Sequence, residues 1–577
     1  MNGHGSTSEK GAVSQPAFWQ SSERFCILDT AFHQGADFLR LRRLWEAAPG
    51  KCARLHYIAL CGEEPSPPPA ELREIWPLHL PGHHQVQLDG GSLRLTLVFG
   101  EAASELRRLV AVCDLILLKE PTAQTAPLAR LSSHGTVIQC PFQDPETFRA
   151  LEASGFLMDV AAAHIRGVHR VRGKRARLCN PYPGERHAIV VGAGLAGSAI
   201  AGSLSRRGWR VTVLEKRIQP ALAASGNLAG VISPMISKDD GLAARLSRAS
   251  FLSLLAELQQ FELEKVPLRW AACGVLQMGR DEKEAALLSE ILLKQGYPSG
   301  FARFMTKDEA SRHVGHAVPA GGVFFPEGGW VNPPSLCAAR LQAPNIALQN
   351  ETAVWRFERE EEGWRVYGQE GQRLAEAPVL ILANAFEGSF FAQTKPLHFK
   401  KVRGQVTHIP VAALPPVGCV LSRDGYLAPA LDGEYSLGAT YDFGSQEESL
   451  NADCQRLNLG RLPGLLQGAG IELSALSGRV GFRSLTADRL PVVGAVPDFG
   501  RATAPSVTLE NVDRYPGLYA LLGLGSRGIV WSALAGDTLA SLIEGEAPLL
   551  PLDLLEAIDP ARFLLRERNL STARGPG

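Results

Sequence analysis

His187-Ala-Ile-Val-Val-Gly192-Ala-Gly194-Leu-Ala-Gly197-Ser-Ala-Ile-Ala-Gly-Ser-Leu-Ser-Arg-Arg-Gly208-Trp-Arg-Val-Thr-Val-Leu-Glu215 is the stretch on which the reading of this chain turns. His187 to Val191 has the short, continuously apolar character of a buried strand. Gly192, Gly194 and Gly197 follow at once, and Leu195, Ala199, Ile200 and Leu204 recur at helical spacing. Gly208 ends that helix, and Trp209 to Glu215 reads as the next strand. Each glycine has a physical role: Gly192 for the tight turn, Gly194 for the approach of a pyrophosphate, Gly197 for close helix–strand packing. Ala193, Leu195 and Ala196 complete a helix N-terminus whose free N–H groups suit phosphates. Glu215 stands 23 residues after Gly192, placed to accept from a ribose diol and to disfavour a 2′-phosphate. The motif predicts a dinucleotide site but does not by itself separate FAD from NAD.

Outward from that stretch, the 577 residues predict more than one domain. Zero net charge means that a polyanion must be held by a local patch. No apolar run reaches the ~20 residues of a membrane span. MNGHGSTSEK lacks the apolar core of a secretory signal, and the ten cysteines show neither a CxxC pair nor a metal-ligand spacing. These features predict a cytoplasmic enzyme with reduced thiols, no metal and no membrane partner. Residues 1–22 and 569–577 read as disordered. Residues 23–178 alternate strand-like runs (ARLHYIAL, LRLTLVFG, CDLILLK, GTVIQC) with helical stretches, an α/β pattern. Residues 179–186 read as a linker and 187–568 as the second domain. Between Ile165 and Arg186 lie Arg166, Arg170, Arg172, Lys174, Arg175, Arg177 and Arg186, opposed only by Glu185.

The second region resembles the D-amino-acid oxidase and glycine oxidase clan of FAD enzymes. More closely, the whole chain resembles the family of bifunctional tRNA 5-methylaminomethyl-2-thiouridine biosynthesis proteins. The matching stretches are SGNLAGVISP, GGVFFPEGGWVNPPSLC, VRGQVTHIP, GYLAPA, YSLGATYD, GRVGFRSLTADRLPVVGAVPD, GLGSRGIVWSALAG and DPARFLLR, in family order. The resemblance implies an α+β FAD-binding domain of the glutathione-reductase and D-amino-acid-oxidase type with an inserted substrate subdomain. Its FAD part is expected over 187–240, 325–390 and 478–563, and its substrate part over 241–324 and 391–477. It implies FAD contacts from Lys216, Arg217, Ser225, Gly226, Asn227, Gly523, Gly525, Ser526, Arg527, Gly528 and Ile529. It also implies oxidative removal of a carboxymethyl group from 5-carboxymethylaminomethyl uridine at the tRNA wobble position, with dioxygen as acceptor. Arg483 and Tyr426 match the clan's carboxylate-holding arginine and tyrosine, although Ser484 replaces the clan's proline. Arg527 is a further candidate for substrate contact.

The resemblance makes the first region an α/β, Rossmann-like SAM methyltransferase, yet its hallmarks are eroded. Ala31 to Leu39 keeps one of three expected glycines, Gly35, with His33 and Gln34 bulky in their place. Cys61 stands for the ribose-binding acid and Lys119 for a catalytic Asp. An unpaired cation there, at an effective dielectric of 20, represents a swing of roughly 6 kcal/mol against a sulfonium. The expectation is a domain that folds but does not bind SAM productively, with Arg166 to Arg177 gripping tRNA. Full bifunctionality, an oxidase of a small free amino acid, and a non-catalytic RNA-binding scaffold stay open as alternatives.

Overall fold

The computed structural model describes residues 23–64, 67–159, 165–170, 181–361, 363–461, 471–501 and 508–565. Arg172, Lys174, Arg175 and Arg177, and the termini expected to be disordered, lie outside the described residues. The chain divides into two compact units, 1–179 with 546–552, and 180–545 with 553–577.

The first unit is built on an eight-stranded sheet in the order Gly82–Leu88, Leu93–Phe99, Arg54–Gly62, Arg24–Asp29, Cys113–Leu117, Ser132–Cys140, Ile165–His169, Phe156–Asp159. The middle strands are parallel and the outer ones antiparallel. Chain order runs outward from Arg24–Asp29 in one direction and then resumes at Cys113–Leu117 in the other. The strand order therefore reverses between these two, the position at which open α/β sheets form a crevice. The four runs read as strands from the sequence are all strands. Their continuous apolar character follows from burial on both faces, by residues such as Leu28, Ile58, Leu95 and Ile116.

In the second unit His187–Val191 lies mid-sheet in the order Ile346–Gln349, Arg210–Leu214, His187–Val191, Val379–Leu382, Arg514–Leu522, Val492–Pro497. Helix Leu195–Ser205 is buried at every residue, wedged against helix Gly528–Glu544. A separate nine-stranded sheet includes Tyr426–Leu431, Glu434–Gly438, Lys400–Pro410 and Ser477–Leu485 as neighbours. This corrects one boundary. The strand carrying Arg483, grouped above with the FAD part, pairs along its whole length with Lys400–Pro410 of this other sheet. Alternation along one strand does not reveal which sheet accepts its hydrogen bonds.

Two of the family-like stretches are joined by an ion pair. The Arg562 Nε and Nη2 donate to Asp488 at 3.0 and 3.2 Å, with Arg562 buried. Arg562 hydrogen bonds and charge, opposed by burial, pull the Asp488 carboxyl down to about 2. The unfolded carboxyl titrates near ~4, so this stabilisation is full above about pH 4 and is lost as pH falls toward 2. Asp488→Asn is expected to cost about 2 kcal/mol at neutral pH. The difference from wild type in denaturant midpoint should shrink below about pH 4; a pH-independent gap would contradict the assignment.

Candidate active site

The turn after His187–Val191 closes through approaches that a larger residue would break. A Cβ on Gly197 would lie 1.8 Å from the Gly192 carbonyl oxygen, and one on Gly192 would lie 2.9 Å from that of Ala383. Gly192 has φ 101°, a conformation that L side chains rarely adopt. Glu215 is buried and accepts the amides of Ala193 at 2.8 Å and Arg217 at 3.0 Å. A carboxylate has about four acceptor positions, so these bonds fix its direction and leave capacity for a hydroxyl. Ser225 Oγ accepts the Leu195 amide at 3.1 Å. Among the described residues the amides of Gly194, Ala196 and Gly197 have no protein acceptor. Three donors converging at a helix N-terminus fit a diphosphate.

The other expected cofactor residues divide. Gly523, Gly525 and Ser526 lead into helix Gly528–Glu544, and Ile529 packs where a Cβ on Gly230 would lie 2.2 Å away. Gly226 and Asn227 lie under Arg479, whose Nη1 donates to Asn227 Oδ1 at 3.4 Å and whose Nη2 donates to the carbonyls of Leu222, at 2.7 Å, and Ala223. Lys216 forms an exposed ion pair with Glu387.

The carboxylate-holding candidates come together on one face of the nine-stranded sheet. Register aligns Arg479 with Val406, Val406 with Gly438, and Gly438 with Tyr426; two residues along, Gly481 opposes Gly404. Alternation puts Arg479, Gly481 and Arg483 on this face. The Arg483 guanidinium lies across Gly404, where a Cβ would be 2.3 Å from Nη1, and donates to Thr440 O at 3.0 Å. No other hydrogen-bond acceptor for it occurs among the described residues. Burial pulls its pKa below the ordinary value, with Tyr426 and Tyr441 opposing and Arg461 assisting. Burial pushes the Tyr426 phenol up to about 12, so it stays protonated and donates to Ala229 O at 3.1 Å. Arg527 is pulled by burial down to about 10 and donates to Ser233 O at 3.4 Å. Arg479 and Gly404 were not singled out from the sequence. The Arg-x-Gly-x-Arg spacing at 479–483 was the available signal for the first; nothing along the chain signals the second.

In the first unit the crevice holds protein side chains. Phe32 is buried, its amide donates to Leu60 O at 2.9 Å, and its ring stacks on Trp76 at 5.8 Å. His33 and Gln34, expected to supply the bulk, are exposed. Cys61 ends its strand with its thiol pushed by burial up to about 12. Lys119 is not an unpaired cation. Its ammonium is paired with Asp37 of helix Ala36–Ala47, so the electrostatic swing expected above is largely cancelled.

A family model described as FAD dependent oxidoreductase matches residues 187–542. The chain is 40% identical to the tRNA 5-methylaminomethyl-2-thiouridine biosynthesis bifunctional protein MnmC of Aromatoleum aromaticum, over 97% of this chain and 93% of that protein. It belongs to the MnmC family. The MnmC protein of an Azoarcus species is 38% identical over 96% of this chain and 92% of its own. Among solved structures, glycine oxidase from Geobacillus kaustophilus superposes with a TM-score of 0.53 at 22% identity, covering 65% of this chain and 99% of its own. L-proline dehydrogenase from P. horikoshii gives 0.53 at 17%, covering 67% and 99%. These two show the fold. The second unit is thus an FAD-dependent oxidoreductase, and the Gly192–Gly197 cradle with Glu215 and Ser225 fits that cofactor.

Because Gly404 makes room for the Arg483 fork, Gly404→Ala should push aside the flexible guanidinium rather than the backbone. With a charge-assisted bond worth ~1.5–3 kcal/mol, affinity for a small carboxylate, titrated by perturbation of flavin absorbance, should fall about ten- to a hundredfold. Flavin content should be retained. Unaltered carboxylate affinity would remove Arg483 from this role.

Proposed function

We propose that this chain oxidises the secondary amine of a carboxymethylaminomethyl group on the wobble uridine of tRNA, giving aminomethyl uridine and glyoxylate. One observation carries it: a half-buried guanidinium fork with one protein acceptor among the described residues, beside a protonated tyrosine, in a chain whose curated relatives are named for the biosynthesis of tRNA 5-methylaminomethyl-2-thiouridine. Arg483 matches a carboxylate bidentately, with Tyr426 on the same face. When bound, FAD supplies the two-electron oxidation of the carbon beside nitrogen. The chain's own work is to fix the carboxylate, orient that C–H bond and keep the amine uncharged by desolvation. The C–H bond breaks with its electron pair and the nitrogen gives up its proton. The C=N bond formed then takes up one water, releasing the amine and the aldehyde carbon of glyoxylate. Dioxygen is the proposed final acceptor.

We further propose that the first unit is methyltransferase-like in fold and does not use SAM. The doubly wound sheet supports the first part; the two lost loop glycines, Cys61 at the strand end and Lys119 in place of the family's Asp support the second. The deciding experiment is mass spectrometry of wobble nucleosides after incubation with carboxymethylaminomethyl-modified tRNA, with and without SAM. Aminomethyl uridine should accumulate equally in both, and an Arg483→Met variant should reduce it at least a hundredfold. Methylaminomethyl uridine appearing only with SAM would restore the bifunctional reading. No change in the nucleoside would refute the oxidation.

The stretch from Arg166 to Arg177 is proposed to grip tRNA phosphates. Reversing Arg172, Lys174 and Arg175 to Glu should weaken tRNA binding and lower its salt slope by about 0.7–0.9 for each phosphate no longer neutralised, with flavin content intact. Binding at low salt equal to wild type would dismiss the stretch as a tRNA-binding element.

A further inference from the structure

Beyond the Arg483 head the sheet face opens onto two aromatic rings that the fold does not cover. Strand Glu434–Gly438 continues past Thr440 into Asp442–Phe443, and Val402 is opposed by Phe443 on one side and Arg483 on the other. Phe443 and Arg483 therefore share a face. Tyr441 lies between them, its ring centroid 5.3 Å from the guanidinium carbon of Arg483. The Tyr441 and Phe443 rings meet edge to face, with centroids 5.2 Å apart and planes at 68°. Tyr441 is 37% exposed and Phe443 58%. The Tyr441 interaction with a desolvated cation is favourable and holds that ring in place. Phe443 gains little from the fold by standing in water.

We infer that Tyr441 and Phe443, with their planes at 68°, form a corner in which the heterocyclic base of the substrate stacks on one ring and meets the other edge-on, while Arg483 holds the carboxylate of its side arm. This rests on the tRNA reading above and adds the element that recognises the base. The arm from a pyrimidine ring to its carboxylate carbon has four bonds and spans roughly 5 Å extended, comparable with the 5.3 Å between the Tyr441 ring and the Arg483 head. A base resting on the aromatic pair thus keeps its carboxylate within reach of the fork. Loop bases splayed out of RNA are commonly received on exposed aromatic side chains. Stacking does not need a hydrogen-bonding pattern, which suits a base already carrying a modified arm.

The test compares two ligands of the flavin-bound enzyme by perturbation of flavin absorbance: the nucleoside 5-carboxymethylaminomethyluridine and N-ethylglycine, the same arm with a methyl group in place of the base. Stacking predicts tighter binding of the nucleoside by about five- to a hundredfold. Phe443→Ala should abolish most of that preference and leave N-ethylglycine affinity unchanged, while Phe443→Trp should restore it. With wobble-modified tRNA as substrate, Phe443→Ala should raise KM over a similar range with kcat little altered. A wild-type enzyme with no preference for the nucleoside, or a preference that survives Phe443→Ala, overturns the aromatic corner. A clear preference without any turnover of tRNA counts against the proposed reaction and leaves the corner standing.

Discussion

The backbone carbonyls of residues 222–233 are held from both sides of the second unit. Arg479 takes those of Leu222 and Ala223, Tyr426 that of Ala229, and Arg527 that of Ser233. In the same stretch Ser225 accepts the amide that opens helix Leu195–Ser205. One short run of chain therefore ties the nucleotide cradle to the face where a substrate carboxylate is expected. Arg479 and Tyr426 reach it from the nine-stranded sheet, Arg527 from the N-terminus of helix Gly528–Glu544. Movement of this run would shift the helix cap and the three polar side chains together. Precise placement of a reacting carbon over a cofactor needs a coupling of this kind.

The charge on that face is arranged at some energetic cost. Arg483 and Arg527 are half-buried, and among the described residues each donates to one carbonyl and has no carboxylate partner. Removing water from a charge without pairing it raises its energy, and an arriving carboxylate recovers that energy when it pairs. Gly404 makes the arrangement possible sterically, by letting a long side chain lie flat over the neighbouring strand. Tyr426 stays protonated and gives its one O–H to the Ala229 carbonyl, so it lines the face without adding charge.

What could be read from the sequence was local. The glycine spacing, the helix after it and Glu215 are determined by turn geometry and period, and each was identified in place. Register could not be read, because it depends on pairings between residues far apart along the chain. Arg479 and Arg483 alternate with Gly481 in plain view, but their common face becomes meaningful only when Gly404 is known to lie opposite Gly481. Lys216, next to the identified acid, turned instead to Glu387, which lies 171 residues away. Lys119 likewise read as an uncompensated cation because Asp37 is 82 residues away. In each case the local rule was sound and a distant partner determined the outcome.

That last pairing bears on how the first unit stands without a ligand. A crevice shaped for a cofactor usually leaves polar groups waiting for it, and such groups are costly when buried. Here the crevice supplies its own partners. Asp29, buried at the end of its strand, accepts the Tyr57 hydroxyl at 2.6 Å and the Ala31 amide at 3.2 Å. Thr30 Oγ1 accepts the Lys119 amide at 3.0 Å, and the Lys119 ammonium is neutralised by Asp37. Phe32 joins the apolar cluster of Phe38, Tyr57 and Phe99. The sheet is satisfied as it stands, so the unit keeps its fold whether or not it has a reaction to perform.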